Sequence, residues 1–192
     1  MFFLGYGVKG IASRAISLHP CLQGIEMNTQ PISFVRPHTT LALACWLLLC
    51  FAVAGVSSVF SAYAIPTWYA TLVKSSLNPP NWVFAPVWTT LYMLMAVAIW
   101  LIWKTRPSPC RISGIWFFIA QLLFNFLWSW VFFSQHQIGA ALVDIVLLWI
   151  SILLCILSFK KMSHKAAWLM VPYLAWVTFA AFLNIELWRL NG

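Results

Sequence analysis

Five long apolar stretches separated by short polar connections organise the chain beyond residue 40. They are Leu41–Ile65 (25 residues), Trp82–Trp103 (22), Ile112–Phe133 (22), Ile138–Phe159 and Ala166–Leu187. The first three carry no charge, the fourth only Asp144, the fifth only Glu186. A helix rises about 1.5 Å per residue, so each is long enough to cross the ~30 Å hydrocarbon core. None alternates with period two, which disfavours a barrel. Backbone groups in lipid must pair internally, so each stretch predicts a helix. The predicted fold is therefore an all-α membrane protein, a five-transmembrane-helix bundle spanning residues 41–192. Residues 1–40 read as a poorly ordered tail carrying Lys9, Arg14, Glu26 and Arg36. Their apolar runs are too short and too interrupted for a signal peptide. A weak transit peptide and a true start at Met27 are both consistent with that tail.

Composition agrees. The chain is 63% hydrophobic and 7% charged, whereas soluble domains average about 45–50% and about 25%. That excludes a soluble domain, and the same hydrophobicity excludes disorder.

The net charge of +8 would suggest nucleic acid in a soluble protein. Here the cations lie between spans, where they set orientation instead. With five spans, one side holds Lys9, Arg14, Arg36, Lys104, Arg106, Arg111, Lys160, Lys161 and Lys165, nine in all, and the other only Lys74 and Arg189. The N-terminus is expected inside and the C-terminus outside. No nucleic-acid partner is expected. The five cysteines form no CxxC pair and the four histidines are isolated, so no metal site is expected.

The connection Pro66–Asn81 contains Trp68, Tyr69, Lys74 and the pair Pro79-Pro80. A double proline cannot occupy a helix interior and sets an extended entry to the second span. This segment is either a lid over the bundle mouth or a plain linker.

Thirteen tryptophans are too many for interfacial belts alone. Trp68, Trp82, Trp103, Trp168 and Trp188 fall at span ends, but Trp88, Trp128, Trp149 and Trp176 fall inside spans. Residues three and four apart share a helix face. That spacing groups Trp88 with Tyr92, Gln121 with Asn125 and Trp128, and Trp176 with Ala180 and Leu183. Three helices thus each offer an aromatic or amide stripe, which either fills the bundle core or walls a ligand cavity. Pro86 and Pro172 stand just before two of these stripes and can kink their helices. Asp144 reads either as a proton or ion relay or as a cap or bridge to a neighbouring helix. Glu186 and Arg189, at i,i+3, suit an interfacial ion pair. Ala54, Ser58 and Ala62 recur every fourth residue, which suits a dimer interface or packing within one copy. No sequence pattern of a conventional enzyme site is present, so no firm catalytic residue is assigned.

The run from Trp68 to Lys74 (WYATLVK) and that from Asn78 to Tyr92 (NPPNWVFAPVWTTLY) closely resemble the TspO/MBR family of tryptophan-rich sensory and translocator (peripheral benzodiazepine receptor) proteins. Two later motifs match as well, Phe124 to Ser129 with Phe132-Phe133, and Pro172 to Trp176 continuing through Phe179-Ala180 to Leu183-Asn184. The resemblance covers roughly residues 41–191. It implies a five-helix bundle, a homodimer, and a pocket opening toward the long first loop. Its implied ligands are protoporphyrin IX or haem, with sterols and benzodiazepine-type compounds as further candidates and no required cofactor. By motif position the pocket lining would be Phe84, Trp88, Tyr92, Asn125, Trp128, Trp176, Ala180 and Leu183, with Gln121 or Asn125 offering a hydrogen bond. Some bacterial members degrade protoporphyrin in light; in such an enzyme Trp88 and Trp176 would be the acting residues.

Three departures from the family pattern stand out. Lys74-Ser75-Ser76-Leu77 lacks the family's proline and following aromatic ring, so its loop would stack less well on a macrocycle. Ala85 replaces a usual glycine and would narrow the pocket. Ile185 stands where the animal sterol motif has a tyrosine before the arginine, here Arg189. The expectation is a tetrapyrrole-binding sensor or regulator in a bacterial cell membrane, with an organelle membrane as the alternative. The competing readings are a transporter of porphyrin, sterol or another hydrophobic solute, and a light-dependent porphyrin-degrading enzyme.

Overall fold

The structure, a computed structural model, describes residues 39–192. Apart from Thr39 and Thr40, which open the first helix, the expected tail and the Met27 start lie outside the described residues. The elements are α1 (Thr39–Ala64), a short α2 (Trp68–Thr71), α3 (Phe84–Trp103) entered through a 3-10 turn (Asn81–Val83), α4 (Pro109–Ser129) continued by a π segment (Trp130–Ser134), α5 (Ile138–Lys160) and α6 (His164–Asn191). Five helices are long and apolar enough to span a membrane, and no strand occurs among the described residues.

Helix ends follow local chemistry rather than the limits of apolarity. Ser108 caps α4 by accepting from the Arg111 amide at 3.1 Å, with Pro109 behind it in the first turn. The helix therefore begins three residues before the apolar run does. Ser163 caps α6 in the same way, accepting from the Ala166 amide at 3.3 Å. A hydroxyl at this position satisfies one of the amides that the first helical turn leaves unpaired. Pro86 falls in the first turn of α3, where its missing N–H breaks no hydrogen bond, so it does not divide the span. Pro172 does lie inside its helix.

Around the bundle the spans neighbour one another in the order α1, α3, α6, α5, α4 and back to α1. They close on Met95, Ile99, Phe118, Ile152, Phe159, Met170 and Tyr173, all fully buried. In lipid, helices associate through close packing and interhelical hydrogen bonds rather than through hydrophobic exclusion from water. Gly114 shows how tight that packing is, since a Cβ there would meet Phe159 and Met162 at 3.3 Å. Helix α1 is the exception, burying only Cys50, Ser57 and Ala64.

The connection after α1 is packed, not slack. Tyr69 on α2 is buried against Phe132 and Phe133, and Trp68 sits edge-on to Phe132 with ring centroids 5.4 Å apart. Asn191, at the end of α6, grips Val73 from both sides, accepting from its amide and donating to its carbonyl, each at 2.9 Å.

Candidate ligand-binding cavity

Inside the bundle, under the 66–80 segment, lies a cavity of about 470 Å³, within the range of about 300–1,000 Å³ typical of small-molecule sites. Its walls come from α1, α3, α4 with its π segment, α6 and Tyr69 of the loop. Phe84, Trp88, Tyr92, Asn125, Trp128, Trp176, Ala180 and Leu183 all line it. Gln121 does not. It is fully buried, with neither amide atom bonded among the described residues. It sits one turn past Asn125, on the side away from the loop, where the helices have already closed together.

The indoles face one another across the space. Trp88 and Trp176 meet edge to face, with centroids 6.5 Å apart and planes at 89°. Phe84 extends this wall, 6.0 Å from Trp176. Trp128 stacks on Phe132 at 4.9 Å and 14°, while its indole N–H donates to Asn184 Oδ1 at 3.1 Å. Asn184 in turn donates to the Ile138 carbonyl at 3.0 Å, which ties three helices together at this wall. A buried indole N–H ordinarily finds such a partner, leaving the ring faces available.

Asn125, which lines the cavity, is bonded within the bundle at both ends of its amide. The Tyr92 hydroxyl donates to its Oδ1, and its Nδ2 donates to the Tyr173 hydroxyl at 2.9 Å. This chain of bonds links α3, α4 and α6 at the cavity floor, and all three residues are buried. Of the two residues expected to offer a ligand hydrogen bond, Gln121 lies off the cavity, while Asn125 lines it and keeps one N–H and one oxygen lone pair beyond these two bonds. Aromatic faces dominate what the cavity presents, beside the Ser57 hydroxyl, whose buried oxygen has no hydrogen-bond partner among the described residues.

At the loop end Tyr69 donates to Asn78 Oδ1 at 2.8 Å. Burial pushes the Tyr69 phenol above its ordinary pKa, partly offset by the bond to Asn78, so the hydroxyl keeps its proton near neutral pH. Lys74 lies over the Tyr69 ring, 4.8 Å from its centroid, and donates to the Leu72 carbonyl at 3.0 Å. Replacing Asn191 by alanine removes both bonds to Val73. Backbone amides of residues 72–74 should then exchange with solvent at least ~10-fold faster in hydrogen-exchange mass spectrometry, while α3 amides stay unchanged.

The sequence reading missed the α1 face, Ala54, Gly55, Ser57, Ser58 and Ser61, and the π-segment rings Phe132 and Phe133. The serine and glycine spacing marks one helical face, and Asn184 and Leu187 continue the spacing of Ala180 and Leu183. Ala54 and Ser58 face the cavity, so their recurring spacing serves the interior of one copy at two of its three positions. Asp144 neither caps nor bridges: its buried Oδ2 has no partner among the described residues. Glu186 and Arg189 form the expected pair at 2.8 Å.

A family model described as the TspO/MBR family matches residues 46–189. The chain belongs to the TspO/MBR family. It is 43% identical over 152 residues to a tryptophan-rich protein TspO of Chlorobaculum tepidum, covering 79% of this chain and 96% of that protein. It is 38% identical over 126 residues to the translocator protein of Ovis aries, covering 65% and 75%. It is 37% identical over 141 residues to a tryptophan-rich sensory protein of Cereibacter sphaeroides, covering 73% and 87%. As a TspO/MBR member with five apolar spans it is an integral, multi-pass membrane protein. The matched region contains every residue of α3, α4 and α5 that lines the cavity or closes the bundle, and α6 through Arg189.

Proposed function

We propose that this TspO/MBR protein is a membrane receptor for a flat, hydrophobic tetrapyrrole, protoporphyrin IX or haem, acting as a sensor or regulator. The observation that carries this reading is the convergence of Trp88, Trp128 and Trp176 from three helices on one cavity. A planar macrocycle can lie against such rings by offset or edge-on contact. The names of the relatives, sensory and translocator proteins, are consistent with a receptor whose output depends on an occupied cavity.

The cavity suits recognition of the macrocycle rather than of a metal. Among the described residues its lining contains no His, Cys or Met side chain, and the hydroxyls of Tyr69 and Tyr92 are already bonded to Asn78 and Asn125. Haem would therefore be held through its ring faces. The expected setting is a bacterial cell membrane, with the cation-rich loops inside and the chain acting as a homodimer.

The test is a parallel titration of the purified protein with protoporphyrin IX, haem and cholesterol, followed by tryptophan quenching and porphyrin absorbance. Saturable micromolar or tighter binding of both tetrapyrroles is expected, with affinities within about tenfold of one another because the iron adds no protein bond. Cholesterol should bind more weakly. Non-saturating quenching by all three compounds defeats the proposal.

A further inference from the structure

The residues around the cavity are unequally covered. Those on α4 and α6 are buried or half-buried, as is Tyr69 at the loop end. The exposed ones are Gly55 and Ser58 on α1, with Asn81, Ala85 and Thr89 leading into and along the start of α3. Among the described residues, the exposed part of the lining thus lies on α1 and at the entry and start of α3.

The two helices are joined farther down. The Trp100 indole donates to the Thr39 carbonyl at 2.8 Å, and Cys50 and Met95 are fully buried in the shared core. A Cβ built on Gly55 would meet nothing within 4 Å, so the α1 wall is not packed against a neighbour there. Gly55 lies about 13 Å from the α1 end at 1.5 Å per residue, which places the gap inside the span rather than above it.

The rim of this gap suits lipid chains. Ser58 Oγ donates to the Gly55 carbonyl at 2.7 Å and Thr89 Oγ1 to the Ala85 carbonyl at 2.8 Å. Each hydroxyl is folded back onto its own helix, so neither presents an unpaired donor to hydrocarbon. The loop end is closed instead. Tyr69, Phe132 and Leu187 are buried there, and Asn191 fastens the overlying segment at Val73.

We infer that the gap between α1 and α3 is a lateral portal, through which ligands dissolved in the bilayer enter the cavity from the hydrocarbon side. This rests on the ligand-binding reading above. It narrows the ligand class to compounds that partition into membranes, and it makes Gly55, Ser58, Ala85 and Thr89 determinants of entry rate.

Two measurements test it on the full chain in phosphatidylcholine vesicles. In stopped-flow quenching by protoporphyrin IX, Gly55→Phe with Ala85→Phe should slow association at least tenfold, while Asn191→Ala changes it less than twofold. Unchanged association in the double variant, with any affinity loss arising from faster dissociation, overturns the portal; so does a tenfold acceleration by Asn191→Ala. The second measurement needs no ligand and no bulky substitution. A nitroxide is attached at Ser58→Cys on a chain whose native cysteines are replaced by alanine. It should collide more with oxygen than with a water-soluble nickel chelate, and the reverse preference refutes a lipid-facing opening. If protoporphyrin IX fails to bind the unaltered chain, the tetrapyrrole reading falls, while the nitroxide result still decides the portal.

Discussion

Replacing Trp88 and Trp176 together by alanine should weaken protoporphyrin IX binding by about 5- to 150-fold. Each indole contributes about 0.5–1.5 kcal/mol of specific ring contact beyond the area it covers. Two such losses total about 1–3 kcal/mol, and each 1.4 kcal/mol is a factor of ten in Kd. Both rings are half-buried and stand against open space, so their removal should leave the helix packing intact. Equilibrium titration of the double variant beside the unaltered protein, with matched thermal melts, checks both statements. Binding unchanged by the double substitution would mean that the macrocycle does not use this wall. Because the two rings touch each other at 6.5 Å, the single variants should not add. Either alone removes its own face and also frees its neighbour to move.

Asn125→Leu should be the most destabilising change at the cavity. Its amide is the link through which Tyr92 on α3 and Tyr173 on α6 are bonded to α4. Leucine approximates its volume but leaves two buried hydroxyls without their partner. A buried polar group left unsatisfied costs about 1–3 kcal/mol, while interhelical bonds in membranes average nearer 0.6 kcal/mol because the separated helices also find partners. The expected loss is therefore about 1–4 kcal/mol, read as a lowered melting temperature in detergent. Adding Tyr92→Phe and Tyr173→Phe to Asn125→Leu should recover part of it, because all three polar partners then disappear together. If Asn125 served the ligand rather than the fold, the single variant would lose binding while melting normally. That opposite pattern separates the two roles.

The helices were legible in the chain because spanning a membrane demands long uncharged runs, and five such runs can hardly be anything else. Their ends were less so, since Ser108 and Ser163 begin helices by capping, outside the apolar stretches that marked the spans. The aromatic stripes were legible too. Trp88 with Tyr92, and Trp176 with Ala180 and Leu183, share faces by spacing alone, and those faces meet at the cavity.

Spacing fixes which residues share a face, but not where along that face neighbouring helices stand apart. Gln121 belongs to the same stripe as Asn125 and Trp128, yet it lies where the bundle has closed. Asn125 does line the cavity, and spacing gave no sign that two tyrosines from other helices also bond its amide. The α1 face was hidden for a related reason. The glycine and serine spacing marks one face of α1, but it does not say whether that face turns inward or toward a second copy, so Gly55, Ser57 and Ser58 could be placed only by their neighbours. Sequence by itself determined the membrane setting, the number of spans and the aromatic chemistry of the interior, because lipid constrains composition and helical periodicity constrains direction. The tertiary structure alone decided the depth of the cavity, the closing of its floor by Tyr92, Asn125 and Tyr173, and the side on which it opens. Those depend on distances between helices, which no single helix encodes.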